Sequence, residues 1–231
     1  MMAERHIAYY MLVEAFAQPG CPVCRIVEAS LLRYLDLLIH ENVNDVNFRA
    51  ELREAGGFCV DHGWWLIDRV RGGALGTAIM YRDVLHSLAE RLAGAGAGRG
   101  ILPPGRRRGG SAWRVGRAAL GCPLCLVRRR EEDAFVGTFA EHCEARGFVE
   151  SYGSSAGLCF GHLDRVLTVM RDMEGGRLLI AAHRQIIERM LGELDEFQRK
   201  TDYRFSSEPM YEEADSWQRA VELVNGRPGV A

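Results

Sequence analysis

The sequence predicts an all-α protein built from a duplicated helical unit, each copy stapled by a metal on three cysteines and one histidine, with an additional C-terminal helix. Three observations carry that expectation. Cys21-Pro22-Val23-Cys24 returns 101 residues later as Cys122-Pro123-Leu124-Cys125, and Cys59-Val60-Asp61-His62 returns 100 residues later as Cys159-Phe160-Gly161-His162. Apolar residues recur at helical spacing along nearly the whole chain, and no segment alternates apolar and polar residues as a half-buried strand does. A fixed internal period with all four ligand types in order points to duplication of a structural unit.

In chain order, residues before Gln18 form a lead-in helix, and each Cys-Pro-x-Cys turn opens a long helix. In the first copy Val27, Leu31, Tyr34, Leu35 and Leu38 share one face of that helix. In the second copy Val127, Phe135, Val136 and Phe139 lie near the same phases. A return loop follows, then Gly57-Phe58 or Gly157-Leu158, a helix carrying Cys-x-x-His, and a final helix opened by Gly72-Gly73 or Gly175-Gly176. Between the copies, GAGAGRGILPPGRRRGGS from Gly94 to Ser111 breaks helices with glycine and Pro103-Pro104 and is predicted to be a linker. The expected divisions are a first repeat over 1–93, the linker over 94–111, a second repeat over 112–200 and a tail over 201–231. In the tail, Met210, Ala214, Trp217, Val221 and Val224 mark one face of a helix, with Ser207 as its cap and Gly226 as its stop.

The two quartets carry the chemistry. Zinc favours four tetrahedral sulfur and nitrogen ligands drawn as two close pairs, because each pair fixes two bonds from one short turn. Within each copy the predicted set is Cys21, Cys24, Cys59 and His62, then Cys122, Cys125, Cys159 and His162. Two zinc ions per chain follow, in sites with every position filled by protein and none left open for catalysis. Residues three apart on a helix face one way, so Cys59 and His62 reach one ion. An iron–sulfur cluster is the nearest chemical alternative. A redox dithiol at Cys-Pro-x-Cys is another, but it lacks βαβ surroundings and leaves the Cys-x-x-His pairs unexplained. Cys143 falls outside the quartets and reads as a buried apolar side chain, and Trp64 and Trp65 as core packing around a metal. His40, His86 and His183 are assigned no chemistry.

The chain has 231 residues, 48% hydrophobic and 26% charged, which suits a folded globular protein. With 29 basic residues, of which only Lys200 is lysine, against 31 acidic ones, the net charge is −2 and gives no global pull toward nucleic acid. The local exception runs from Arg91 to Arg130, with ten arginines and no acidic residue. Its runs Arg106-Arg107-Arg108 and Arg128-Arg129-Arg130 are candidate phosphate or partner contacts, or else counter-ions for Glu208, Glu212, Glu213 and Asp215 in the tail. No apolar run is long enough to span a bilayer, and the start of the chain does not read as a signal peptide, so no membrane contact and a cytoplasmic location are expected.

Cys-Pro-Leu-Cys with the later Gly-Leu-Cys-Phe-Gly-His, together with the ending EPMYEEADSWQRAVELVNG, resembles an uncharacterised bacterial family of unknown function. That resemblance implies the shared ligand pattern and no reaction. Without a phosphate-cradling loop, a nucleophile elbow or a repeated carboxylate pair, no catalytic residue is assigned. The expectation is a non-enzymatic zinc-binding adaptor or regulatory protein meeting a protein partner. The alternatives are a nucleic-acid-binding regulator using the arginine-rich linker, and a thiol-based redox or metal sensor.

Overall fold

The computed structural model of the chain describes residues 6–96, 121–205 and 207–230, the side chains of 94–96 and 146 excepted. Among these residues there are ten α-helices, one 3₁₀ helix and no strand. The helices are α1 (Ile7–Phe16), α2 (Pro22–His40), α3 (Val46–Ala55), α4 (Val60–Asp68), α5 (Ala74–Gly96), α6 (Pro123–His142), α7 (Arg146–Gly153), α8 (Phe160–Val169), α9 (Met173–Thr201) and α10 (Ser216–Asn225). The 3₁₀ helix spans Glu212–Asp215 and leads into α10. No described helix is long and apolar enough to cross a membrane.

The return segments are more structured than expected. Each holds a short helix, α3 or α7, where the sequence suggested a loop. Asp45 caps α3, its carboxylate accepting the Phe48 N–H at 2.7 Å, and Gly56 ends it in the left-handed region. Both glycines before the Cys-x-x-His helices need their lack of a side chain: Gly57 has φ +100°, and Gly157 has φ +85° with Ile186 packed where a Cβ would sit. α5 continues to Gly96, into the expected linker, whose remaining residues lie outside those described, as do Arg106, Arg107 and Arg108. Gly175-Gly176 fall inside the first turn of α9, whose cap is Asp172.

The chain condenses into two compact units that cut across the expected repeats. Among the described residues, one comprises those up to Ser30 together with those from Arg129 onward, the other those from Leu31 to Arg128, so the divisions fall inside α2 and α6. The first unit has an aromatic core: Phe16, Phe139, Phe148 and Tyr152 meet edge to face with centroids 5.1 to 5.9 Å apart. Cys143 is fully buried in this unit, where burial and then Asp172 push its thiol up to about 12, in line with an unreactive apolar role. In the second unit Leu31, Leu35, Leu52 and Met80 are buried, α3 packs on α5, and Arg49 and Arg53 converge on Asp83.

The tail is part of the first unit, with α10 packed on α8 and α9. Its helix starts at Ser216, behind the 3₁₀ turn and well past Ser207, and stops at Gly226 as expected. Its apolar stripe does not face inward: Trp217, Val221 and Val224 are exposed, while Glu213, Ser216 and Leu223 are buried. Ion pairs decide that orientation. Lys200 Nζ reaches Glu213 Oε1 at 2.6 Å, Arg219 pairs with Glu193, and Arg227 Nη1 reaches Glu28 Oε2 at 2.6 Å.

Candidate metal centres

Eight of the sequence-predicted residues come together in two groups, but the pairs are exchanged. Cys21 and Cys24 meet Cys159 and His162 in the first unit, and Cys59 and His62 meet Cys122 and Cys125 in the second. Each group therefore takes one pair from either half of the chain, not both pairs from one copy.

Helix lengths explain the exchange. Cys21 immediately precedes α2, whose 19 residues carry the chain about 28 Å away at 1.5 Å per residue. The return helix α3 has 10 residues and recovers only about 15 Å. Cys59 thus falls far short of Cys21. The second half repeats the imbalance, with 20 residues in α6 and 8 in α7. A pair at the end of the return meets the turn contributed by the other half.

Local structure presents the ligands. Each Cys-Pro-x-Cys turn starts a helix, placing one sulfur before its first turn and one within it. Cys59 and Cys159 occupy the N-cap positions of α4 and α8, and the His62 N–H donates to Cys59 Sγ at 3.5 Å. Amides at these helix starts favour thiolate over thiol.

In each group the four ligand atoms lie within 4.8 Å of one another. His162 Nδ1 is 3.1 Å from Cys159 Sγ, 3.4 Å from Cys24 Sγ and 3.5 Å from Cys21 Sγ, and Cys24 and Cys159 Sγ are 3.7 Å apart. The second group repeats the pattern: His62 Nδ1 is 3.1 Å from Cys59, 3.4 Å from Cys125 and 3.5 Å from Cys122, with Cys59 and Cys125 Sγ 3.7 Å apart. A tetrahedron with metal–sulfur bonds of about 2.3 Å and metal–nitrogen bonds of about 2.05 Å has edges of about 3.8 Å and 3.5 Å, so both groups match the edges of a single-ion site.

Beyond the ligands the groups diverge. His162 turns Nε2 toward Glu132, 3.8 Å from Oε1, and Glu132 is buried. Arg165 donates to Glu132 Oε2, and to Asp133 Oδ1 at 2.6 Å. A carboxylate behind a ligating histidine fixes the ring and raises its basicity. Burial opposes a charge on His162, but Cys159, Cys21 and Glu132 outweigh it and push its pKa up to about 11. Without metal the group holds protons that an incoming ion displaces. In the second half-sequence register, Leu31 stands 101 residues before Glu132 and Trp65 stands 100 before Arg165. Trp65 lies edge-on to the His62 ring at 5.3 Å. All four ligands of the first group are buried, whereas Cys59 and Cys125 of the second are half-buried.

Sequence reasoning missed Glu132 and Arg165, which carry no motif. His183, assigned no chemistry, is buried with Nδ1 2.6 Å from Tyr152 Oη, and burial lowers its pKa. Trp65 is buried as expected, but Trp64 is exposed. Arg129 and Arg130 are exposed on α6 and Arg128 is half-buried. Of the acidic residues suggested as their counter-ions, Glu208 pairs with Arg199, Glu213 with Lys200 and Asp215 with Arg219.

Comparison with known proteins places this arrangement in a family. The family of unknown function DUF6062 matches residues 3–229. The chain belongs to that family. It is also similar to an uncharacterised 23.9 kDa protein encoded in the xynA 3′ region of Caldicellulosiruptor sp. (strain Rt8B.4), at 26% identity over 217 residues, covering 93% of this chain and 99% of that protein. No solved structure matches the chain.

Proposed function

We propose that this DUF6062 protein is a zinc-bound, non-enzymatic adaptor or regulatory protein of the cytoplasm. On this reading two zinc ions hold the helical units rigid, and a protein partner meets the arginine-rich linker and the tail. The observation that carries it is the pair of four-ligand groups with tetrahedral edge lengths, which leave no open coordination position for substrate. A multi-iron cluster spreads its terminal ligands over separate irons, so four ligand atoms within 4.8 Å of one another favour one ion. Seven free cysteines, six of them in these groups, suit a reducing compartment. The exposed Trp217, Val221 and Val224 offer a partner an apolar strip.

A nucleic-acid-binding role is the second reading. It is favoured by the engagement of Glu208, Glu213 and Asp215 with Arg199, Lys200 and Arg219 of their own unit and by the exposure of Arg129 and Arg130 on α6. Elemental analysis of protein purified without added metal tests the central reading. Two zinc ions per chain and no visible absorption band are expected; iron with a visible band, or no metal, overturns it.

A further inference from the structure

We propose that the second group, Cys59, His62, Cys122 and Cys125, is an oxidation site for organic hydroperoxides, in which Cys59 and Cys125 become a disulfide and the metal leaves. The first group stays intact under the same conditions. This inference rests on the metal reading above.

Access separates the groups. Every ligand of the first is buried, while Cys59 and Cys125 are both half-buried and their sulfurs are 3.7 Å apart, within reach of a disulfide after a small shift. A cavity of about 350 Å³ opens on Cys59, walled by Phe58, Val60, Trp64 and Ile67, with Thr77 and Tyr81 supplying hydroxyls. Val60, Trp64 and Ile67 are exposed around it. Such walls take the carbon skeleton of an organic hydroperoxide more readily than they favour hydrogen peroxide. The first group also borders a cavity, of about 340 Å³ at Cys21, but Arg189, Glu193, Arg219 and Glu222 line it beside Phe16, Ile186, Met190 and Leu223, and Cys21 itself is buried. Four charged side chains in the wall make it a poorer host for an apolar chain than the Trp64 and Ile67 cavity.

The chemistry balances with the hydroperoxide as oxidant. The Cys59 thiolate attacks the terminal oxygen, the one that carries the hydrogen, the O–O bond breaks, and the alkoxide takes a proton to leave as an alcohol, giving a sulfenic acid. The Cys125 thiolate then attacks that sulfur, the S–S bond forms, and hydroxide leaves and is protonated to water. Two electrons pass from the sulfurs to the peroxide, two protons are consumed, and an ion that has lost two of four ligands dissociates.

The test uses the full-length metal-loaded protein. Metal content is measured first, then cumene hydroperoxide is added, released metal is followed with a chromophoric chelator, and cysteine pairing is mapped by mass spectrometry. The expected result is release of one metal of two, with Cys59 bridged to Cys125 and Cys21, Cys24 and Cys159 still reduced. Ile67→Asp puts a charge at the exposed mouth of the cavity and is expected to slow release by cumene hydroperoxide at least about fivefold while sparing release by hydrogen peroxide. Simultaneous loss of both metals, a bridge within the first group, or an Ile67→Asp variant that slows neither or both oxidants alike overturns the proposal. A protein carrying no metal before oxidant overturns the metal reading itself.

Discussion

The two metal groups have the same ligands at nearly the same distances and differ in what stands behind them. The first is buried, with Glu132 3.8 Å from the His162 ring and Arg165 paired with Glu132. The second has Trp65 edge-on to His62 and two half-buried sulfurs. Four ligand atoms fix which ion binds; the surroundings fix how tightly it is kept and what reaches the sulfurs. A repeated motif therefore does not mean a repeated environment.

The largest effect expected concerns which residues share an ion. Cys21→Ser with Cys159→Ser removes two ligands from one group, so elemental analysis finds one metal per chain. Cys21→Ser with Cys59→Ser damages both groups and leaves none. If the pairs belonged to single copies, the two results would be interchanged. Because structural zinc binding is worth roughly 10 to 16 kcal/mol and domain stability about 5 to 15 kcal/mol, each lost metal should abolish a cooperative transition in thermal melts.

A smaller effect separates the groups by their surroundings. Glu132→Gln keeps shape but removes the charge behind His162, and competition with a chelator should show the first group's affinity falling by about 10- to 100-fold. The second group should be unchanged. Equal affinities before and after would mean that the buried carboxylate does not distinguish them.

The smallest effect is electrostatic and confined to the second unit. Arg49, and after it Arg53, holds the Asp83 carboxyl below the ordinary carboxylate value. A depressed folded pKa gives stability that is present above the unfolded value near about 3.9 and is lost as pH falls through the folded value. Asp83→Asn should therefore cost under about 1 kcal/mol in urea melts, since the pair is partly exposed. That deficit should be flat between about pH 6 and 8 and narrow only in acid below the ordinary carboxylate range. A deficit that changed across neutral pH would assign the effect to another group.

Much of the fold was legible because local chemistry sets it. Helical spacing identified α2, α4, α5, α6, α8 and α9, and Val27, Leu31, Leu35 and Leu38 are buried as their shared face requires. The short return helices were harder to see: α3 spans only 10 residues, among them the charged Arg49, Glu51, Arg53 and Glu54, and α7 only 8. The tail helix was legible as an apolar stripe, but which of its faces turns inward was not: Trp217, Val221 and Val224 are exposed, and Lys200, Arg219 and Arg227 pair with Glu213, Glu193 and Glu28. Such pairs join residues 13 to 199 positions apart, beyond any local window.

The sequence by itself determined that the protein is helical, which eight residues are candidate ligands, and which of them form close pairs, because spacing within a turn is a property of the local backbone. Only the tertiary structure decided which pair meets which. That choice depends on rigid lengths summed along the chain, where a long outgoing helix and a short return leave each Cys-x-x-His pair beside the other half's Cys-Pro-x-Cys turn. It also decided that Glu132 stands behind one histidine, since a buried carboxylate becomes a metal's support only when folding places it at the ring.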